Sequence, residues 1–315
     1  MNLGSTGKIR DMKDFHKAER WIYRNARPLE AALWKVHFHG ALKEGALSCL
    51  KAFQNEDGGF GHGLEPDFWT PQSSPMATWA AGEILEDLEV EKDHPMIRHL
   101  VKYLVNTGQV SPGIWPSSLP ENNEYPHAPH WTYREGVQDN WMFNPSIQLS
   151  AYLIHWGMEE NERELGWESL LHGMNYLKEK TELDFHEVHN FQKMIKLLRS
   201  YKEEFTKKMP ISYEESERKI DHLRKKCIDQ NWQGWEDGYK ALPLDFITDP
   251  IDTLYFRFEE LIDKNIEHYR QTTDHDGVWD ISWSWDRYDQ EFSIARQQWK
   301  GILALKRYRI IEKFI

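Results

Sequence analysis

Residues 54–61 read Gln-Asn-Glu-Asp-Gly-Gly-Phe-Gly (QNEDGGFG), and the reading of this stretch decides the fold. It follows a segment, 42–54, that sets Ala46, Leu47, Leu50 and Phe53 on one helical stripe. A polar stretch leads from it to Ser74-Pro75, a hydroxyl N-cap followed by the residue suited to a first helical position. The same order recurs: a helix ending near Gln, then Gly and an aromatic, a polar loop, and a helix start. Gln109, Gly113 and Trp115 lead to Asn144-Pro145. Gln230, Gly234 and Trp235 lead to Asp249-Pro250. Gln271, Gly277 and Trp279 lead to a helix near Asp289. Two spacings agree without adjustment: Gln54 to Phe60 equals Gln109 to Trp115, and Phe60 to Pro75 equals Trp235 to Pro250. Self-similarity of this kind marks a helical repeat protein.

The rest of the chain reads the same way. Helical spacing runs through 97–105 (Ile97, Leu100, Val101, Leu104), 187–205 (Val188, Phe191, Met194, Ile195, Leu198) and 250–270 (Leu254, Tyr255, Phe258, Leu261, Ile262). Further helices are expected near 12–25, 28–39, 75–88, 145–156, 160–180, 212–229 and 289–311, while period-two strand patterns are nearly absent. The class is all-α, one domain over 1–315. Asp249 reads as the N-cap of the helix at 250, with Asp252 at its third position completing a capping box.

Composition narrows the partners. Lys plus Arg number 39 against 51 Asp plus Glu, a net charge of −12, which argues against nucleic acid or an anionic membrane surface. With 15 Trp residues, a core or cavity walled by rings is expected. The start, MNLGSTGKIRDMKDFHK, has no leader-type apolar core, and no stretch approaches a membrane span. Cys49 and Cys227 make neither a disulfide framework nor a CxxC pair. The expectation is a cytoplasmic protein without cofactor or metal.

QNEDGGFG resembles the Q-x-x-D-G-G-F/W repeat of the terpenoid cyclase and protein prenyltransferase superfamily, which includes the squalene–hopene cyclases. Ser73–Ala80 (SSPMATWA) looks like the small-residue inner helix that follows that repeat. The block Ala26–Asp67 is similar to bacterial proteins labelled prenyltransferase-like or squalene-cyclase-like. The likeness covers residues 26–90, is partial over 106–150 and 230–300, and is absent from 160–225. It implies an α/α toroid of about six helical hairpins, with inner helices around a central cavity and the repeat loops closing one end. The superfamily's defining chemistry is missing: there is no D-x-D-D, no D-D-x-x-D, and no Cys beside Asp and His for a zinc site. Fold transfers on such a likeness; activity does not.

Candidate chemistry gathers in the loops. His62, Glu65, Asp67 and Trp69 follow the first turn, where two close carboxylates and a histidine would supply an acid and a base. A second loop carries His127, His130, Trp131, Asp139, Trp141 and Asn144. Asp139 is a second acidic candidate, and Trp131, Trp141 and Asn144 are substrate contacts; a metal shared by His127 and His130 lacks a third ligand. Near the end, Trp283, Trp285 and Asp286 would stack on a cation or a sugar, or lock the last helix onto the first. Asp57 reads as part of the turn itself.

Three functions follow. One is an enzyme acting on an isoprenoid or similar apolar molecule by carboxylate acid catalysis. Another is a carbohydrate-active hydrolase or lyase with paired carboxylates, such as Asp67 and Asp139, and Trp platforms. The third is a binding protein on the same fold. An interior of rings with one buried carboxylate favours the first, and several carboxylates with exposed Trp favour the second.

Overall fold

The structure is a computed structural model that describes residues 9–315. Residues 1–8, on which much of the leader reading rests, lie outside the described residues. The helices in chain order are α1 (Lys13–Asn25), α2 (Pro28–His39), α3 (Glu44–Lys51), α4 (Pro75–Asp87), α5 (Pro95–Asn106), α6 (Ser146–Trp156), α7 (Glu160–Glu179), α8 (Phe185–Leu197), α9 (Lys202–Lys208), α10 (Tyr213–Cys227), α11 (Pro243–Phe246), α12 (Tyr255–Gln271) and α13 (Asp289–Phe314). Among the described residues there is no β-strand longer than an isolated bridge, so the class is all-α. No described helix is long and apolar enough to cross a membrane.

The chain packs as two compact units. One comprises the chain up to residue 52 together with 228–315, and the other comprises 53–227. In the first, α1 and α2 pack on α13. Their seam is aromatic: Phe15 stacks on Trp34 at 5.1 Å, and Tyr308 meets Phe15 at 5.5 Å and Trp279 at 5.0 Å. Trp283 and Trp285 lie against the same last helix, on Trp299 and Phe292. Arg27 grips the buried Glu30 through both carboxylate oxygens, at 2.9 and 2.7 Å, which satisfies an acid on the otherwise apolar buried face of α2.

The second unit is built of alternating hairpins. Gln148 and Tyr152 of α6 meet α4, and α6 also packs against α5, α7 and α8. Trp79 meets Gln148 and Gly82 meets Tyr152, while Asn190 meets Asn144 and Lys193 meets Glu83 at the level of Gln148, so α4, α6 and α8 run parallel. Arg98 of α5 joins Glu162 of α7, their N-terminal turns level. Nearly every residue of α6 is buried, as for a helix surrounded by others. Gly82 lets α4 approach it, because a Cβ there would stand 2.2 Å from the Tyr152 ring. The segment 160–225, which carried no resemblance, continues this pattern: α7 packs on α6, and α10 packs on α8.

The repeat turns share one construction. Phe60, Trp115, Trp235 and Trp279 are all buried. Phe60 N–H donates to Thr78 Oγ1 and Trp115 N–H to Ser146 Oγ, so each aromatic is tied to the helix that follows. The indoles of Trp115 and Trp279 donate to carbonyls near the end of the helix before, Leu104 and Tyr269. Gly58 turns the first loop at φ 97°, its Cα facing the His99 carbonyl.

Three expectations are corrected. The helix expected from 250 starts at Tyr255, because Asp249 and Asp252 instead accept N–H bonds two residues ahead, from Ile251 and Leu254, and hold a run of turns. The helix expected over 187–205 breaks at Leu197, where Tyr213 of α10 donates its hydroxyl to the Ile195 carbonyl at 2.6 Å. Asn144 is not a cap, since α6 starts at Ser146 and the Asn144 amide is engaged elsewhere.

Candidate functional site

The first turn is architecture. Asp57 Oδ1 accepts from Gly59 N–H at 3.0 Å and from Ser73 Oγ at 2.7 Å, and Gln54 donates to the Gly58 and Met96 carbonyls. His62 stands exposed beyond it, hydrogen-bonded to Asn55 at 2.8 Å.

The two predicted loops of the second unit do come together. Ala128 N–H donates to the Asp67 carbonyl at 2.7 Å, and Trp69 N–H to the Pro126 carbonyl at 3.0 Å. Asp67 is buried, receives the exposed His130 ring at 4.0 Å, and gives its own N–H to Glu65 Oε2 at 2.9 Å. Trp131 and Trp141 stack face to face at 4.3 Å with 3° between their planes, and Phe68 leans on Trp131 at 5.0 Å. Trp69 is half-buried and anchors its indole on the Pro66 carbonyl. His127 is buried with Nδ1 on the Tyr125 carbonyl and Nε2 on Thr132 Oγ1. A carbonyl only accepts, so Nδ1 carries the hydrogen and Nε2 takes the Thr132 hydroxyl. Both nitrogens are engaged in holding the loop, which leaves no lone pair for a metal. Asp139 is exposed in a short 3₁₀ turn at 137–140.

The other predicted contacts lie in the first unit. Trp285 is fully buried against Phe292, Trp283 packs between Tyr239 and Trp299, and Asp286 is exposed beside Ser284.

A polar seam between α4, α6 and α8 holds the residues that sequence reading missed. Trp79 donates its indole N–H to Gln148 Oε1 at 2.8 Å. Gln148 Nε2 then donates to Glu83 Oε1 and, at 2.9 Å, to the Tyr152 hydroxyl. Lys193 of α8 reaches Glu83 Oε2 at 3.0 Å. One turn away, Asn190 Nδ2 donates to Asn144 Oδ1 at 2.7 Å and to the His186 carbonyl. The predicted contact Asn144 thus belongs to this seam. The side chains of Lys193 and Glu83 keep 35% and 23% of their exposure, enough for a solute to reach them.

Charge along the seam is uneven. Burial pushes the Glu86 carboxyl up to about 7; Lys193 and Lys196 oppose this, while Glu83 and Asp87 add to it. Its Oε2 is buried and has no donor among the described residues. Burial alone would lower Lys193, but Glu83, Glu86 and Asp87 outweigh it, and the ammonium is held above its ordinary range. Beside the seam, burial also pushes Glu187 up to about 7, against the Phe143 N–H and Tyr176 hydroxyl that it accepts.

The signal for Glu83 and Glu86 was present in PMATWAAGEILED, where Trp79, Glu83 and Glu86 fall at i, i+4 and i+7 on one helical face. A shallow hollow of about 380 Å³ beside the second turn, lined by Gln109, Gly113, Ser169 and His172 among others, contains none of the predicted site residues. No family model, no curated protein and no solved structure matches the chain.

Proposed function

We propose that the second unit carries an acid–base site acting on a hydroxyl-rich, carbohydrate-type substrate, whose glycosidic link it cleaves by hydrolysis or elimination. The observation that carries this reading is the pair Glu83 and Glu86, one turn apart on α4 in unlike surroundings. Glu83 is ion-paired with Lys193 and hydrogen-bonded by Gln148, whereas Glu86 lies in a drier place that favours its protonated form. Two carboxyl groups with environments that diverge in this way can divide the roles of base and acid. Glu86 would give its proton to the departing oxygen. Glu83 would take one from water, or from the carbon beside the link.

Trp79 supplies a ring next to the pair, held by Gln148, of the kind that sugar faces stack on. The resemblance to terpenoid cyclases and prenyltransferases argues for an isoprenoid instead, in an α/α toroid. That substrate calls for an apolar wall with a single acid, and the amides, lysine and two carboxyls of the seam support it less well.

The test is turnover of a panel of nitrophenyl glycosides and polysaccharides by the wild type, Glu83→Gln and Glu86→Gln, with farnesyl and geranylgeranyl diphosphate as the competing arm. General acid–base catalysis is worth about 10²–10⁴-fold, so each variant should lose at least about a hundredfold in kcat. Turnover of a prenyl diphosphate, of no glycan, or of a glycan by both variants at the wild-type rate would overturn the proposal.

A further inference from the structure

Beyond the C-terminal end of α8, the 3₁₀ turn Leu198–Tyr201 and α9 enclose an open hollow of about 520 Å³, a size within the range of small-molecule sites. Three cations line it, Arg199, Lys202 and Lys207, together with the hydroxyls of Ser200 and Tyr201. Among the described residues none of these five side chains makes a hydrogen bond or an ion pair. Burial raises the Tyr201 hydroxyl above its ordinary range, with Arg163 opposing and Glu204 adding, so it too remains a donor.

A gathering of unpaired cations is unexpected in this chain. Asp and Glu outnumber Lys and Arg by 51 to 39, so a surface cation has carboxylates to choose from. Those of the hollow leave its charge uncompensated. Glu204 stands 3.8 Å from Lys208, which is not part of the lining, and Glu203 makes no ion pair. Arg199 acts on Glu217 of α10, a carboxyl that burial pushes up and so keeps less charged. Behind Tyr201 the His155 ring stands edge-on at 6.2 Å. The charge that acts on His155 is Lys92, again positive, and it adds to burial in keeping the ring unprotonated.

Such a hollow selects a ligand that brings negative charge and acceptor oxygens. A phosphate group meets both needs, since a guanidinium can offer two parallel N–H groups to two of its oxygens while the ammoniums add point charges. Nucleic acid or an anionic membrane would also face the field of a chain carrying −12, whereas a small ligand samples only the hollow. A bare phosphate fills only part of this volume. Glu203, the carboxylate left over, accepts hydrogen bonds from hydroxyls on the rest of the ligand.

We infer that this hollow binds a small phosphorylated polyol, its phosphate on Arg199, Lys202 and Lys207 and its hydroxyls toward Glu203. The assignment is independent of the acid–base reading, because the two sites share no residue.

The experiment is calorimetric titration of the whole chain at pH 7.5 and low salt with glucose 6-phosphate, inorganic phosphate and glucose. The ester should bind at least about tenfold tighter than inorganic phosphate, a difference of about 1.4 kcal/mol, and glucose should give no signal. Added salt should weaken the ester. Arg199→Gln and Lys202→Gln should each weaken it about tenfold, as expected for lost hydrogen bonds to a charged group. Glu203→Gln removes a like charge and keeps an acceptor, so it should tighten the ester a few-fold, a gain that misfolding cannot imitate. Lys264→Gln, on α12 in the first unit, should change nothing.

Absence of ester binding, inorganic phosphate as tight as the ester, or glucose as tight as either overturns the assignment. So does weakening by Lys264→Gln equal to that by Lys202→Gln, which would show a general field and no site. Binding to phosphatidylserine vesicles that Lys202→Gln abolishes, with none of the ester, would give the hollow to a membrane surface and overturn it too.

Discussion

Trp79 and Gln148 are joined across α4 and α6 by an indole-to-amide hydrogen bond of 2.8 Å, and this one contact sets which way the amide faces. An indole N–H can only donate, so the oxygen of Gln148 must point to Trp79 and its NH₂ to Glu83 and Tyr152. Gln148 itself is fully buried. Gln148→Leu therefore strands the Trp79 donor and removes a donor from Glu83. The expected loss is about 2–4 kcal/mol in urea unfolding, from two groups left unmatched in a part-buried site. Gln148→Glu should be milder at pH 5 than at pH 8, because at the higher pH it sets a second carboxylate against Glu83. A Leu variant as stable as wild type would mean that the seam does not depend on this amide.

Glycine at 58 and glycine at 45 should respond oppositely to the same change. Gly58 has φ 97°, and a Cβ there would stand 2.2 Å from the His99 carbonyl oxygen. Gly45 lies in the first turn of α3, and a Cβ there meets nothing within 4 Å. Gly58→Ala should cost roughly 2–4 kcal/mol through left-handed strain and backbone displacement. Gly45→Ala should gain up to about 1 kcal/mol from the better helix former. Thermal unfolding of the two variants against wild type checks both signs.

These two glycines also show how much was legible in the sequence. The repeat turns and most helices were readable because Gln, Gly, an aromatic and Pro act locally, through caps, left-handed turns and short hydrogen bonds. Asp57 illustrates it: its bond to Gly59 spans two residues. What resisted reading was polar pairing across helices distant in the chain. Glu83 meets Lys193 from 110 positions away, and Asn144 meets Asn190 from 46. Taken singly, Glu83, Glu86 and Lys193 look like residues of solvated helix faces. Asp67 and His130 were each singled out, yet nothing local indicated that their loops dock. The late start of α12 was hidden for the converse reason, since Asp-Pro suits a turn as well as a cap.

Glu86 and Glu187 give stability a pH dependence of known sign. Burial raises both carboxyl groups from an ordinary value of 4.5 to about 7 in the folded chain. The folded state then binds more protons than the unfolded state between those values, so stability is fullest below about 4.5 and falls as pH rises through about 7. Glu86→Gln and Glu187→Gln remove this loss. Each variant should show a flatter dependence of the urea midpoint on pH between 5 and 8, and the gain over its own wild-type comparison at pH 8 should be on the order of 1–2 kcal/mol. A wild-type midpoint that rises steadily over this range would contradict the assignment.

Glu162 reports the opposite case, and its sign follows from its partners. It is buried at the start of α7, and burial would raise its carboxyl. The Arg98 guanidinium at 2.6 Å and the N–H groups of Glu159 and Met158 outweigh that, and the group is held below its ordinary range. A depressed carboxyl stabilises the fold above its unfolded value and loses that contribution as pH falls through its folded one. Because Arg98 also donates to the Trp156 carbonyl, this group ties the starts of α5 and α7 to the end of α6. Glu162→Ala removes the ion-pair partner and two N–H acceptors together, which should cost about 2–4 kcal/mol at pH 7. The difference from wild type should shrink as pH falls through the depressed folded value of the carboxyl, where the wild-type group is itself neutralised. Arg98→Ala should lose less, since the capping bonds of Glu162 survive it. Urea unfolding of both variants at pH 7 measures the ordering, and a series toward acid pH in which the Glu162→Ala loss never shrinks would show that the ionised carboxyl contributes nothing.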